Sequence, residues 1–270
     1  MLRRLSVWGL GCALLLLLAI GCEPKCREVR PGDEVQTQFN DTIEDRLDEI
    51  DATDAQIAKT QALFAVQTPA LEKLRAVAFP LQRQIVTELR KQSPDRARLF
   101  ALIDQMIDAS VVYSNTMIDV MVKAHALLDG AQRRALAKRY SEPSPPVRSS
   151  FWIDRGFDYF LLKISATDSQ RQLLERIKAQ LLKRARLLTR EADGVRYAIV
   201  SEFAKDKPDR ARIAVAVERG RQLARQAFVE LTGYLLLVQS KLDREQRVVL
   251  DAQLVRLEPC AWTGESKAAP

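Results

Sequence analysis

The chain has 270 residues, 47% hydrophobic and 29% charged, which is enough apolar material for a sizeable core and too much for a disordered chain. Ten glycines, a single histidine (His125) and the lack of any CxxC pair argue against Gly-loop nucleotide enzymes, histidine-based triads and His/Cys metal centres. The formal charge of +7 is dispersed, Lys and Arg alternating with Asp and Glu, so it suits acidic proteins or lipid headgroups and not nucleic acid.

Arg3 and Arg4 precede an apolar run from Leu10 to Ile20 that ends in Leu18-Ala19-Ile20-Gly21-Cys22. A basic start, an apolar stretch too short for a spanning helix and small residues before a cysteine form the pattern of a bacterial lipoprotein signal. Residues 1–21 are therefore expected to be removed and Cys22 to carry lipid, holding the chain in the bacterial cell envelope facing the periplasm. An ordinary secretory signal and an uncleaved anchor are the alternatives. Loss of Arg3 and Arg4 takes the formal charge from +7 to +5. Residues 22–45 are polar and carry Pro24, Pro31 and Gly32, so a flexible tether is expected there. Cys26 lies in that tether and Cys260 in the tail 256–270, and an oxidising compartment permits a disulfide between them. Free thiols and a bridge between two molecules stay open as alternatives.

The rest is organised by a duplication. Ala52-Thr53-Asp54-Ala55-Gln56 recurs as Ala166-Thr167-Asp168-Ser169-Gln170, Pro94 to Arg98 as Pro208 to Arg212, and Leu128-Asp129 with Gln132-Arg133 as Leu242-Asp243 with Gln246-Arg247. All three pairs share one offset, and 47–139 aligned with 161–253 without a gap has 23 identities in 93 positions. One register kept across three separated motifs indicates two copies of one unit, 46–140 and 160–255. Residues 141–159 contain Pro143, Pro145 and Pro146 and read as a proline-rich linker.

Each unit reads as all-α. Thr53 with Gln56 and Thr167 with Gln170 have capping-box chemistry, and Asp129 with Gln132 and Asp243 with Gln246 offer the Asp-capped equivalent. Pro80 and Gly194, at matching positions, are expected to break two earlier helices. Ser93-Pro94 is expected to open a long third helix with Leu99, Ile103, Met106, Ser110, Met117 and Met121 near one face. Its counterpart has Ile213, Val217, Gly220, Ala224, Leu231 and Leu235 at similar spacing. The expected unit has about four helices, one of them long.

A TxxQ box, a break, a helix ending near Glu88-Leu89, a long third helix and a closing Leu-Asp-x-x-Gln box resemble the LTxxQ-motif family of Spy and CpxP. The resemblance covers about residues 45 to 140 and 160 to 255, with Ala52 and Ala166 in place of the opening Leu and Asp129 and Asp243 in place of Thr. It implies an ATP-independent envelope chaperone or stress-response adaptor. Such a protein is a homodimer of thin curved helical layers that receives partly unfolded envelope proteins or works through a stress-sensor protein. With two units in one chain, it implies an intramolecular pseudo-dimer, with further homo-oligomerisation open.

No carboxylate pair, nucleophile with base or phosphate loop stands apart from the helical pattern, so no enzymatic activity and no cofactor are expected. Arg221, Arg225 and Phe228 form a basic and apolar stripe that is the expected client surface. A competing reading, a periplasmic heavy-metal sensor, uses Met117, Met121 and His125 at i, i+4 and i+8. The matching positions are Leu231, Leu235 and Gln239, which favours packing over ligation. A scaffold lipoprotein without client activity is the third reading.

Overall fold

The computed structural model describes residues 33–141 and 157–255, and among these the regular structure is entirely α-helical. Five helices precede the linker: α1 (Asp33–Asp48), α2 (Asp54–Ala65), α3 (Thr68–Leu89), α4 (Arg96–His125) and α5 (Gly130–Ser141). After a short helical segment at 157–163 come α6 (Asp168–Phe203), α7 (Arg210–Gln239) and α8 (Arg244–Val255). No described helix is long and apolar enough to cross a membrane. Cys22, Cys26, Cys260 and the three linker prolines lie outside the described residues.

Helix α1 occupies part of the span expected as a tether. Ile43 and Leu47, one helical turn apart, are buried with Ile50, Ile57 and Leu128, so the segment has an apolar face and a partner to cover it. Both units then make the same turn. Asp51 and Ser165 adopt left-handed backbone conformations, φ 56° and 50°, directly before the two TxxQ boxes. Neither is glycine, so each turn stores strain that the surrounding contacts must offset.

Those contacts are the caps. Thr53 Oγ1 accepts from the Gln56 amide at 3.3 Å while Gln56 Oε1 accepts from the Thr53 amide at 2.8 Å. Thr167 and Gln170 repeat this at 3.3 and 3.0 Å. Each glutamine also reaches the far end of its unit. Gln56 Nε2 donates to the Leu127 carbonyl and to Gln132 Oε1, and Gln132 Nε2 donates back to Gln56 Oε1 and to the Asp51 carbonyl. Gln170 and Gln246 form the same amide pair, with Lys241 and Ile164 as the carbonyl partners. Gln132 and Gln246 are buried, so these bonds satisfy polar groups that would otherwise cost stability unpaired.

Two boundaries differ from expectation. Pro80 and Gly194 do not separate helices: Pro80 lies inside α3 and Gly194 inside the 36-residue α6. Proline removes one hydrogen bond and glycine costs about 1 kcal/mol, and the helices run on because Leu81 and Val86 on one, and Leu188 and Val195 on the other, are buried around the weak points. The break in the first unit falls instead at Val66–Gln67, before Pro69. The second unit has no break there, so α6 corresponds to α2 and α3 joined. The long helices are also capped differently. Asp95 and Asp209, not the Ser-Pro pair, occupy the N-caps, with carboxylates accepting from Arg98 N and from Ala211 N and Arg212 N.

Helices α3 and α4 pack as one antiparallel pair and α6 and α7 as another, with α4 lying on α7 and α5 on α6. The largest apolar cluster crosses between units, placing Val86, Leu89 and Leu99 with Phe160, Leu174 and Leu235. A smaller one joins Ile103 and Ile107 to Ala224. On the face predicted for α4, Leu99 and Ile103 are fully buried, whereas Met121 has swung out to 36% exposure.

Candidate functional site

Each helical hairpin turns on a buried carboxylate. Glu88, 2% exposed, accepts from Lys91 Nζ at 2.6 Å and from the Asp95 amide at 2.9 Å, with Arg98 Nε at 3.4 Å. Glu202 has the matching partners Lys205, Asp209 N and Arg212. The lysine hydrogen bond does most to hold both carboxyls below their ordinary value of 4.5, the amide adding to it and burial opposing it. Sequence reading located Glu88 only as a helix end. Its signal was nevertheless present, since Glu88, Lys91, Asp95 and Arg98 all recur unchanged in the second unit.

The hairpin ends reach across to each other. His125 Nε2 lies 2.9 Å from the Lys205 carbonyl, to which it donates, and Gln239 Nε2 donates to the Leu89 and Lys91 carbonyls at 2.9 and 3.1 Å. Arg133 donates to the Asp206 carbonyl at 2.9 Å and Arg247 to the Gln92 carbonyl at 3.3 Å. His125 and Gln239 occupy matching positions, as do Lys91 and Lys205, Arg133 and Arg247, and Gln92 and Asp206. These hydrogen bonds thus form two pairs, each made once in either direction between matching positions.

The α4–α7 contact has instead one sign of charge on each side. Asp104, Asp108 and Asp119 on α4 pair with Arg225, Arg221 and Arg210 on α7. The hydrogen bond from Arg225 lowers the Asp104 carboxyl, and hydrogen bonds donated to Glu218 and Asp104 respectively raise the Arg221 and Arg225 guanidiniums. Of the expected client surface, Arg221 and Arg225 pair with aspartates of α4 while their side chains stay 33% and 55% exposed, and Phe228 is half-buried against the Ile103, Ile107 and Ala224 cluster. The stripe faces the other unit because its apolar and basic residues find complementary partners there.

The metal alternative meets a similar geometry. Met117 is half-buried and Met121 exposed, while His125 is buried beside Phe203 with Nε2 committed to Lys205. Burial holds its imidazole below the ordinary 6.5, with the Lys205 carbonyl opposing that shift. Among the described residues no three His, Cys, Asp or Glu side chains group so as to hold a metal ion.

An open concavity remains on the first unit. Ala76, Val77, Pro80, Leu81 and Gln84 from α3 and Gln105, Asp108 and Ala109 from α4 line a groove of about 540 Å³. Val77 is 46% exposed, and Val112, one turn beyond Ala109, is 67% exposed. Pro80 has no N–H, so the Ala76 carbonyl lacks its ordinary helical partner. Apolar walls and the exposed amides of Gln84 and Gln105 suit an extended peptide segment, which presents apolar side chains and backbone polar groups together. Sequence reading missed this groove, although Pro80 marked it. Comparison with family models, curated proteins and solved structures finds no match to the chain.

Proposed function

We propose that this is a lipid-anchored protein of the bacterial envelope, similar to Spy and CpxP, that binds partly unfolded proteins without ATP. Its two units would pack as an intramolecular pseudo-dimer, a reading supported by the returned contacts between matching positions. The observation that carries the functional reading is the apolar groove beside Val77 and Val112. Clients would bind there by shallow apolar contact and leave once folding hides the same groups. The inter-unit ion pairs would keep the groove walls rigid.

Two results test the proposal. The wild-type chain at near-equimolar ratio should suppress aggregation of a reduced, unfolding test protein, measured by light scattering. Val77→Glu with Val112→Glu should remove most of that effect without a change in melting temperature, because both side chains are exposed. Absence of suppression by the wild type overturns the chaperone reading. For the anchor, Cys22→Ser should abolish acylation and alter processing, read as a shift in mature mass and loss from detergent-phase fractions. A variant identical to wild type in both measurements overturns the anchor.

A further inference from the structure

One face of α6 has a chemistry that the matching residues of the first unit lack. Along α6, Arg176, Lys183, Arg186 and Arg190 point outward and are exposed, as are Gln180, Leu187 and Tyr197. At 100° per residue these positions fall on one side of the helix, opposite the buried Leu174, Ile177, Leu181, Ala185 and Leu188. None of the four basic residues has a carboxylate partner among the described residues. Between Arg176 and Tyr197 no exposed residue of α6 is acidic. The nearby acids are occupied or turned aside: Glu175 pairs with Lys178, Asp193 pairs with Arg196, and Glu191 is half-buried near Arg184.

The matching positions in the first unit are Ala62, Pro69, Glu72 and Ala76, none of them basic. The fold therefore does not require these charges. A face that needed only solvation would serve as well with acids interspersed, as most of this chain's surface does.

We propose that this face of α6 docks on an anionic phospholipid surface. Its four cations lie within an arc of about 80° along one side of a helix, over about 21 Å at 1.5 Å per residue. Such an array meets a plane of headgroups at every position at once, whereas an acidic loop would follow only part of it. Leu187 at 39% and Tyr197 at 61% exposure add an apolar and an amphipathic contact of the kind that settles at the headgroup level. The apolar face of α6 is spent in the core, so the helix adsorbs and does not insert. The proposal rests on the lipid-anchor reading only for proximity. The ten residues between Cys22 and Asp33 reach at most about 35 Å, which keeps the helices within range of the bilayer.

The test separates the stripe from the anchor. The unacylated chain from residue 22 onward is sedimented with vesicles of phosphatidylglycerol and phosphatidylcholine, or of phosphatidylcholine alone, at low and high salt. Binding to the anionic vesicles, lost at high salt, is expected. Arg186→Glu with Arg190→Glu should weaken it by at least about tenfold, and the milder change to glutamine by less. Lys59→Glu with Lys73→Glu, which alters net charge equally on an exposed part of the first unit, should bind much as wild type. Equal binding to both vesicle types, no binding to either, or an unaffected α6 double variant overturns the proposal. Binding to polyglutamate without vesicle binding overturns it in favour of an acidic protein partner. The α6 variant should retain aggregation suppression and the Val77, Val112 variant should retain vesicle binding, so the two readings fail separately.

Discussion

Replacement of Ile103 by alanine is expected to lower the free energy of unfolding by about 2–5 kcal/mol, the cost of deleting a fully buried branched side chain and leaving its space empty. Ile103 has no exposed surface and meets Ala224 of the other unit as well as Ile107 of its own helix. The loss should therefore weaken the contact between units and not one hairpin alone. Urea denaturation followed by far-ultraviolet circular dichroism measures it. Val112→Ala on the same helix, at 67% exposure, should stay within about 0.5 kcal/mol of wild type. If Ile103→Ala did the same, the cluster joining α4 to α7 would carry no weight in folding.

The second large effect belongs to the buried carboxylates. Glu88→Gln keeps an acceptor for the Asp95 amide but loses the charged bonds to Lys91 and Arg98, at a cost of about 1–3 kcal/mol near neutral pH. Glu202→Gln should act in the same direction on the second hairpin. Because each carboxyl is held below its ordinary 4.5 in the folded chain, its contribution is present in full above that value. It is lost as pH falls through the lowered folded value, where the unfolded chain binds the proton first. The gap between wild type and either variant should thus be constant above about pH 5 and close at lower pH. Urea midpoints across that range provide the measurement, and a gap that widened on acidification would assign the effect to another group.

What the amino-acid order determined by itself was the repeat and the local chemistry at its corners. Thr53, Gln56, Asp129 and Gln132, with their counterparts, cap their helices through bonds to amides three residues away, and such short-range bonds are written in spacing alone, unlike the pairing of Gln56 with Gln132 across the unit. The all-α class followed for the same reason. Tertiary structure decided the rest. Pro80 and Gly194 lose against the burial of their neighbours, so positions that punctuate an isolated chain became interior residues of continuous helices. The outward or inward sense of a basic stripe depends on what lies opposite. Arg221 and Arg225 meet aspartates from a helix more than a hundred residues away in sequence, while Arg186 and Arg190 meet none among the described residues. Periodicity tells which residues share a face of a helix. Only packing against the other unit selects which of those faces is covered, because that choice is made by burial and charge pairing over long separations in sequence.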